Sequence, residues 1–389
     1  MNVNKTTCFI YLTVFLAEFS FFFALPLLGK TPNLSASSVA ACLAGAVLLE
    51  SLLMLTTTGY LERFSRKKLI FVSLVLRGIA FLTIYLTLSL PGWLLFFLII
   101  AVSKSVSKPF LREVLAETLS GPKLKKALNT FSLCQNSAVF VAPMLAVAAI
   151  NFAFIGAVLL ILTLSSIVMA LMALRLIYAL PASHKPSTGS ALAGMQAGFQ
   201  VVIASPNIQY ILLSSFFCFL IMGVFITATT LLDKINPDLG TYAGVFFSVV
   251  GVTICLWQGG VAKLISFSDR CSSLIILAGG VLSSTYLLGP VYIAITALVA
   301  YSIYESVIIP ELYFQATHIA SGVSASVLFS YILIVSNAGE AFGSWLTGFA
   351  ITHLADHVPL FTFITVLSSA MISFICLKKN GRKEIPCQP

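Results

Sequence analysis

The sequence predicts an all-α integral membrane protein of about twelve transmembrane helices, arranged as two similar six-helix bundles. The 389 residues are 59% hydrophobic and only 9% charged, whereas soluble domains carry roughly 25% charged residues. The apolar stretches reach the roughly 20 residues that a spanning helix needs, and they recur along the whole chain. Runs such as 94–102 and 154–162 are continuously apolar, which favours helices over the alternating pattern of barrel strands.

The spans follow from these stretches, the first of which is too long for the core of a signal peptide. We predict spans at 8–29, 38–61, 68–89, 93–118, 127–149, 153–178, 208–231, 242–266, 273–289, 291–315, 324–350 and 358–377. The long connection between the sixth and seventh spans contains the polar segment His-Lys-Pro-Ser-Thr-Gly-Ser. We therefore expect an N-terminal six-helix bundle at 1–180, a cytoplasmic linker at 181–206 and a C-terminal six-helix bundle at 207–389.

The basic residues predict the orientation of the chain. The net charge is +9, and most of the 22 Lys and Arg residues fall on the side of both termini. Only Lys30 and Lys234 fall on the other side, while Arg77, Lys104 and Lys108 lie deeper within spans. Because positive loops stay inside, we expect a multi-pass protein of the cell inner (cytoplasmic) membrane with both termini in the cytoplasm. The basic surplus therefore reports topology and does not indicate a nucleic-acid partner.

Cysteine and histidine give no sign of a metal site or of an enzyme. The eight cysteines are scattered without a CxxC pair, and the four histidines fall in loops or near span ends. No HExxH or GxSxG motif is present. We expect no cofactor, no metal and no enzymatic activity. The expected partners are a small-molecule substrate, protons and the lipid bilayer, and we expect a monomer.

The two halves resemble one another around the fourth and fifth spans. Pro109 and Asn136 are separated by 27 residues, and so are Pro310 and Asn337. The same offset of 201 residues also aligns Lys104 with Glu305, Ala138 with Gly339, and Ala142 with Gly343. Internal symmetry of this kind is expected of transporters built from parallel repeats.

The loop after the second span, Gly-Tyr-Leu-Glu-Arg-Phe-Ser-Arg-Lys-Lys from Gly59 to Lys68, resembles motif A of the major facilitator superfamily. Glu62 corresponds to the acidic residue of the motif, and Arg63 and Arg66 correspond to its arginines, although Gly59 is one residue too close. A weaker copy at Asp269 and Arg270 occupies the equivalent loop of the second half. The resemblance covers essentially the full length and implies a gate, in which the carboxylate pairs with arginines and a helix end. The alternative is that these charges only anchor the loop inside.

Two further family motifs are altered here. The antiporter motif of the fifth span corresponds to the segment from Asn136 to Pro143, where the proline is kept and alanines replace glycines. This segment favours export. The fourth span has Lys104 and Lys108 where the family usually has an arginine.

Ionisable groups inside a bilayer are functional candidates because each is costly unless it is paired or hydrated. Glu18 lies near the middle of span 1, Lys104 near the middle of span 4, and Glu305 in span 10. The resemblance implies that these spans line a central cavity. Glu18 is the first candidate for proton coupling or substrate contact, with Glu305 and Glu340 as the other acids.

The remaining charged and amide side chains have two interpretations each. Lys104 and Lys108 could bind an anionic group; alternatively Lys104 pairs with Glu305, and Lys108 extends to the cytoplasm. Glu50 and Arg77 are predicted to form a structural ion pair. Asn136 and Asn337 are candidates for ligand contacts or for interhelical hydrogen bonds.

The function that these observations favour is secondary active transport by alternating access. The leading hypothesis is a proton-coupled exporter of a small amphiphilic organic molecule, either a drug-like compound or a secreted metabolite such as a siderophore. The 31 phenylalanines suit such a substrate. The alternative is a proton-coupled uptake symporter for a small organic anion, which the two lysines favour. A membrane sensor that does not transport is a third possibility.

Overall fold

The computed structural model describes residues 3–61, 64–119, 121–176, 200, 205–261, 269–319 and 325–381. Within these ranges the long elements are twelve helices: α1 Val3–Gly29, α2 Ala36–Leu61, α3 Arg66–Leu86, α4 Leu90–Thr118, α5 Gly121–Asn151, α6 Ile155–Leu176, α7 Pro206–Thr230, α8 Ala243–Leu256, α9 Asp269–Ser283, α10 Val291–Ile319, α11 Ala325–His353 and α12 Val358–Gly381. One π-helical turn, Trp257–Val261, extends α8. No strand occurs in the described ranges.

These helices confirm the all-helical prediction, and each predicted span coincides with one of them. Ten contain a stretch that is long and apolar enough to cross a membrane. Helix α9 ends at Ser283, whereas the predicted span runs to 289. A run of hydroxyl residues lies at this helix end: Ser283, Ser284 and Thr285 each donate a side-chain hydrogen bond to the carbonyl three residues back at 2.6–2.8 Å. Such bonds compete with the helical backbone pattern.

The chain divides into two compact units. The first consists of residues 1–188 together with 229–255, and the second of 189–228 together with 256–389. By this division α8 belongs with α1–α6, while α7 up to residue 228 belongs with α9–α12. The division of the sequence at a linker of 181–206 stays a prediction, since 177–199 and 201–204 lie outside the described residues.

Small residues and hydroxyls join the helices of the first unit. Helix α1 packs chiefly on α5, and α3 packs on α4 and α6. Ala138 and Ala142 of α5 are fully buried, and Gly251 of α8 lies against the backbone of Phe140. Because lipid supplies no hydrophobic force between helices, packing of small residues and interhelical hydrogen bonds hold such bundles together.

A lysine links two loops of the first unit. Lys234 lies between α7 and α8, and its Nζ donates to the carbonyl of Leu34 in the loop between α1 and α2. Partial burial lowers the pKa of Lys234 from its ordinary value. This basic residue, one of two predicted on its side of the membrane, therefore has a local structural role.

Glycines bring α7 and α11 of the second unit into backbone contact. Gly339 and Gly343 of α11 lie against the backbone of α7 at Phe216 and Leu220, and Gly223 of α7 lies against Glu340. A Cβ atom at any of the three would overlap a main-chain carbonyl. Gly339 and Gly343 are the repeat equivalents of the buried Ala138 and Ala142, so the aligned positions carry small residues in closely packed places in both halves.

Candidate functional site

An ion pair joins the middle of α1 to the middle of α4 inside the first unit. Nζ of Lys104 lies 3.0 Å from Oε2 of Glu18, and these side chains are 11% and 12% exposed. Nε2 of Gln135 on α5 donates to the other carboxylate oxygen, Oε1, over 3.2 Å. Three helices thus contribute to one polar cluster, and a cation and an amide both donate to the same carboxylate.

A small, largely apolar cavity adjoins the pair. Nζ of Lys104 lies 4.9 Å from the centroid of the Phe21 ring, within the range of cation–π attraction. The cavity is lined by Val14, Ala17, Glu18, Lys104, Ser107, Leu111, Phe131 and Gln135. Its volume is about 10 Å³, roughly the space that one water molecule needs, so the converging polar groups rather than the volume mark this place as a candidate site.

A second cation acts on the same carboxylate. Arg77 of α3 is fully buried and interacts electrostatically with Glu18. Its Nη2 donates to Oγ of Ser103 over 3.1 Å, and Ser103 is the residue directly before Lys104. Ser73 and Ser103 each donate to the other's carbonyl at 2.9 Å, which fixes α3 against α4. Nε and Nη1 of Arg77 have no hydrogen-bond partner in the described part of the chain.

The ion pair predicted between Glu50 and Arg77 is not formed in this structure. Glu50 is buried on α2, whereas Arg77 hydrogen-bonds to Ser103. The sequence predicts similar depth for Glu50 and Arg77, but the rotation of a helix about its axis decides which side chains meet.

Glu305 of α10 has a different environment. It is half-buried and lies beside the hydroxyl of Tyr301, one helical turn earlier. Tyr301 is itself buried, with its ring 5.1 Å from that of Phe225 on α7. Among the described residues no cation pairs with Glu305. Lys104, a predicted partner of Glu305, pairs instead with Glu18 of its own unit.

The other candidates are distributed along α5 and α11. Asn136 is half-buried next to Gln135, Asn337 is buried, and Glu340 is half-buried. Glu340 interacts electrostatically with Tyr301. Sequence reasoning missed Gln135, Ser103 and Tyr301. The spacing of four residues between Tyr301 and Glu305 was the available signal for the last of these.

The predicted gate lies mostly outside the described residues. This holds for Glu62 and Arg63, and for the side chains of Arg66, Lys108, Asp269 and Arg270; Gly59, which has no side chain, lies in α2. The backbone is described where α2 ends at Leu61 and where α3 begins at Arg66. In the described ranges, no group of three or more metal-ligating side chains is found.

Comparison with solved structures identifies the fold. A bacterial homologue of the human lysosomal transporter Spinster, inward-facing and unoccupied, has a TM-score of 0.69 at 14% identity, with 97% of this chain and 95% of that chain covered. The human organic anion transporter MFSD10 (TETRAN) gives 0.68 at 14% identity, with 97% and 100% covered. The nucleoside transporter NupG gives 0.75 at 13% identity, with 99% and 100% covered. At these identities the likeness establishes the fold alone.

Comparison with sequences identifies the family. No curated protein gives a significant match to the chain. The profile described as Major Facilitator Superfamily matches residues 7–344, which is most of the chain and confirms the predicted family. The chain therefore belongs to the major facilitator superfamily, and it is a secondary transporter rather than an enzyme.

Proposed function

We propose that this protein is a proton-coupled transporter of a small amphiphilic organic anion, and that Lys104 receives the anionic group. The observation that carries the proposal is the ion pair of Lys104 with Glu18 at 3.0 Å beside the cavity, and the buried Arg77 adds a second positive charge that interacts with Glu18. In surroundings of low dielectric an excess positive charge is costly. An anion that enters the adjoining cavity would offset that charge, whereas a cation would add to it.

The geometry supports an exchange of partners at Lys104. Lys104 and Glu18 line the cavity, whereas Arg77 does not. When an anion binds Lys104, Glu18 keeps the hydrogen bond from Gln135 and the attraction of Arg77. The ionised carboxylate of Glu18 therefore keeps a hydrogen-bond donor and a cation when Lys104 leaves it, which lowers the free-energy cost of opening the pair.

The cavity wall supports an amphiphilic substrate. Val14, Ala17, Leu111 and Phe131 supply apolar surface around the charged groups. The cavity measures about 10 Å³ in this conformation, so a planar or aromatic body would pack on these side chains, with its acidic group at Lys104, in a conformation in which the cavity is wider. One structural neighbour is described as an organic anion transporter, which is compatible with the proposal, although its 14% identity carries no substrate assignment.

Flux into proteoliposomes with an imposed pH gradient tests the proposal. The panel contains salicylate as an aromatic anion, uridine as a neutral nucleoside and a lipophilic amine. We expect salicylate-like anions to accumulate above the level reached in protein-free vesicles when the compartment they leave is acidic, because the protein then moves proton and anion together. Transport of the amine or uridine in preference to every anion would contradict the proposal.

Export in exchange for protons is the second candidate, and the α5 segment favours it. Pro143 lies inside α5, its carbonyl approaches Gly244 of α8, and Phe140 lies against Gly251. This contact involves the segment that resembles the antiporter motif. In the same flux assay an exporter of this type accumulates substrate when the destination compartment is acidic, so the sign of the effective gradient separates the two candidates.

We further propose a monomer in the inner (cytoplasmic) membrane with both termini in the cytoplasm. The distribution of Lys and Arg supports this orientation.

A further inference from the structure

Two exposed lysines at the end of α12 lie close to aromatic rings. Nζ of Lys378 lies 5.8 Å from the centroid of the Phe374 ring, one helical turn earlier. Nζ of Lys379 lies 5.6 Å from the ring centroid of Tyr210, which belongs to a different helix, α7. No carboxylate in the described part of the chain pairs with either lysine. The rings therefore attract the two ammonium groups without neutralising them.

This cluster lies at one boundary of the apolar region. The candidate span in α7 begins at Pro206, and the candidate span in α12 ends at Lys379. Further inside, Ser214 of α7 and Ser373 of α12 each donate to the other's carbonyl, at 3.0 and 3.1 Å, and these bonds hold the two helices side by side. Tyrosine and lysine both suit the headgroup level of a membrane, because each has an apolar body and a polar end.

Exposed aliphatic side chains continue from this cluster toward the middle of the spans. Leu213 follows Tyr210 by three residues on α7, and Ile375 precedes Lys379 by four residues on α12, so each lies on the same face of its helix as that polar neighbour. Leu213 is 44% exposed and Ile375 is 45% exposed. Aliphatic surface of this kind matches the acyl chains of a lipid. The cationic and aromatic groups at the boundary match an anionic headgroup.

The equivalent place in the first unit lacks this arrangement. With the repeat offset of 201 residues, Tyr210 corresponds to Phe9, and Lys379 corresponds to Tyr178. The last turn of α6 carries one basic residue, the exposed Arg175. Arg175 has no aromatic ring as a partner among the described residues. It therefore supplies a cation on the same predicted side of the membrane without the neighbouring ring.

We propose that the ends of α7 and α12 bind the headgroup of an anionic phospholipid, with Lys378 and Lys379 at its phosphate. Basic residues next to a spanning helix are attracted to anionic lipids, and the Tyr210 hydroxyl can donate a further hydrogen bond to a phosphate oxygen. In the orientation proposed above, this lipid belongs to the cytoplasmic leaflet. The site lies within the second unit and does not depend on the substrate proposed for the Glu18–Lys104 pair.

Site-directed cross-linking in proteoliposomes tests the proposal. The protein carries Leu213→p-benzoylphenylalanine, a photoreactive residue on the aliphatic surface that leaves the headgroup residues intact. The vesicles contain a minority of dioleoyl phosphatidylglycerol in dioleoyl phosphatidylcholine. We expect the cross-linked lipid to be enriched in phosphatidylglycerol at least about fivefold over its share of the bilayer. Lys378→Gln combined with Lys379→Gln should remove that enrichment, and cross-linking in proportion to the bilayer composition before this change would overturn the proposal.

Two further variants separate a built site from general surface charge. Arg175→Gln is the matched control, because it removes a cation on the same predicted side of the membrane but away from this cluster, and it should leave the enrichment unchanged. Tyr210→Leu keeps the net charge and should lower the enrichment severalfold. Enrichment that persists in the double lysine variant, falls equally in Arg175→Gln or is unaffected by Tyr210→Leu would overturn the proposal.

Inorganic phosphate distinguishes a lipid headgroup from a soluble anion. A lipid that is held by its acyl chains as well as its phosphate should remain enriched when inorganic phosphate is added in large excess over the protein. Loss of the enrichment under these conditions would assign the lysines to a soluble anion and contradict a lipid site. None of these measurements involves transport, so a protein that fails to move salicylate would contradict the proposed function and leave this test unaffected.

Discussion

Glu18 has two cationic neighbours whereas Lys104 has one carboxylate neighbour, and this asymmetry predicts unequal effects of replacing them. Glu18→Gln removes the carboxylate that the described residues place beside Lys104 and Arg77, while Lys104→Met still leaves Arg77 to offset Glu18. Removing one partner of a buried pair costs about 3–5 kcal/mol. We expect Glu18→Gln to approach that loss in unfolding free energy and Lys104→Met to lose clearly less. Thermal unfolding in detergent measures both.

The double variant makes the comparison decisive. The double variant Glu18→Gln/Lys104→Met lacks one of the two cations that lose their carboxylate in Glu18→Gln. We therefore expect it to be more stable than Glu18→Gln alone. A coupling free energy above roughly 0.5 kcal/mol indicates direct interaction. Simple additivity of the two single effects would show that the pair contributes nothing as a pair.

Arg77 offers another test at the residue scale. Its guanidinium is fully buried and holds Ser103 of α4, the residue before Lys104. Arg77→Lys keeps the charge but loses the planar donor fork, so we expect the fold to persist and the affinity for salicylate to fall several-fold. Arg77→Met removes the charge that compensates Glu18, and it should weaken binding further. Equal affinity in parent, Lys and Met variants would exclude Arg77 from the site.

Helix–helix packing makes a prediction at the scale of elements. Gly343 of α11 lies against the backbone of α7 at Leu220, so Gly343→Leu forces the two helices apart. Overpacking typically costs about 1–3 kcal/mol, and we expect a lower unfolding temperature together with lost transport. Gly45→Leu on α2 is the matched control, since no atom lies within 4 Å of a Cβ at that position. Comparable stability of the two variants would contradict close packing of α7 on α11.

The elements also explain what the sequence could and could not predict. Hydropathy located all twelve helices because the bilayer imposes a length of about 20 apolar residues, and the 201-residue repeat found the close-packed positions Gly339 and Gly343. The pairing of charged side chains was harder to predict. The sequence predicts the same membrane depth for Glu50 and Arg77, but the orientation of α3 about its axis places Arg77 against Ser103 of α4. Lys104 meets Glu18 because α1 and α4 face each other, which no local pattern encodes.

Topology is the prediction at the scale of the whole molecule. The asymmetric distribution of Lys and Arg predicts that Cys387 near the C-terminus faces the cytoplasm. In a version that keeps Cys387 as its single cysteine, an impermeant thiol reagent should fail to label intact cells and should label inverted membranes. A second version with Lys234→Cys as its single cysteine should give the opposite pattern. Labelling of Cys387 in intact cells would reverse the orientation and the depth of every charge discussed above.

The most direct test of the substrate site is the equilibrium exchange of labelled salicylate in proteoliposomes that contain Lys104→Gln, Lys104→Arg or the parent. Exchange needs no gradient and no net proton movement, so it reports the binding site by itself. If Lys104 receives the anionic group, the exchange rate above that of protein-free vesicles falls at least about tenfold in Lys104→Gln. It is retained in Lys104→Arg and unaffected in Glu311→Gln, whose carboxylate accepts from Gln315 of its own helix. Exchange by Lys104→Gln at the parent rate would contradict an anion site at the Glu18–Lys104 pair.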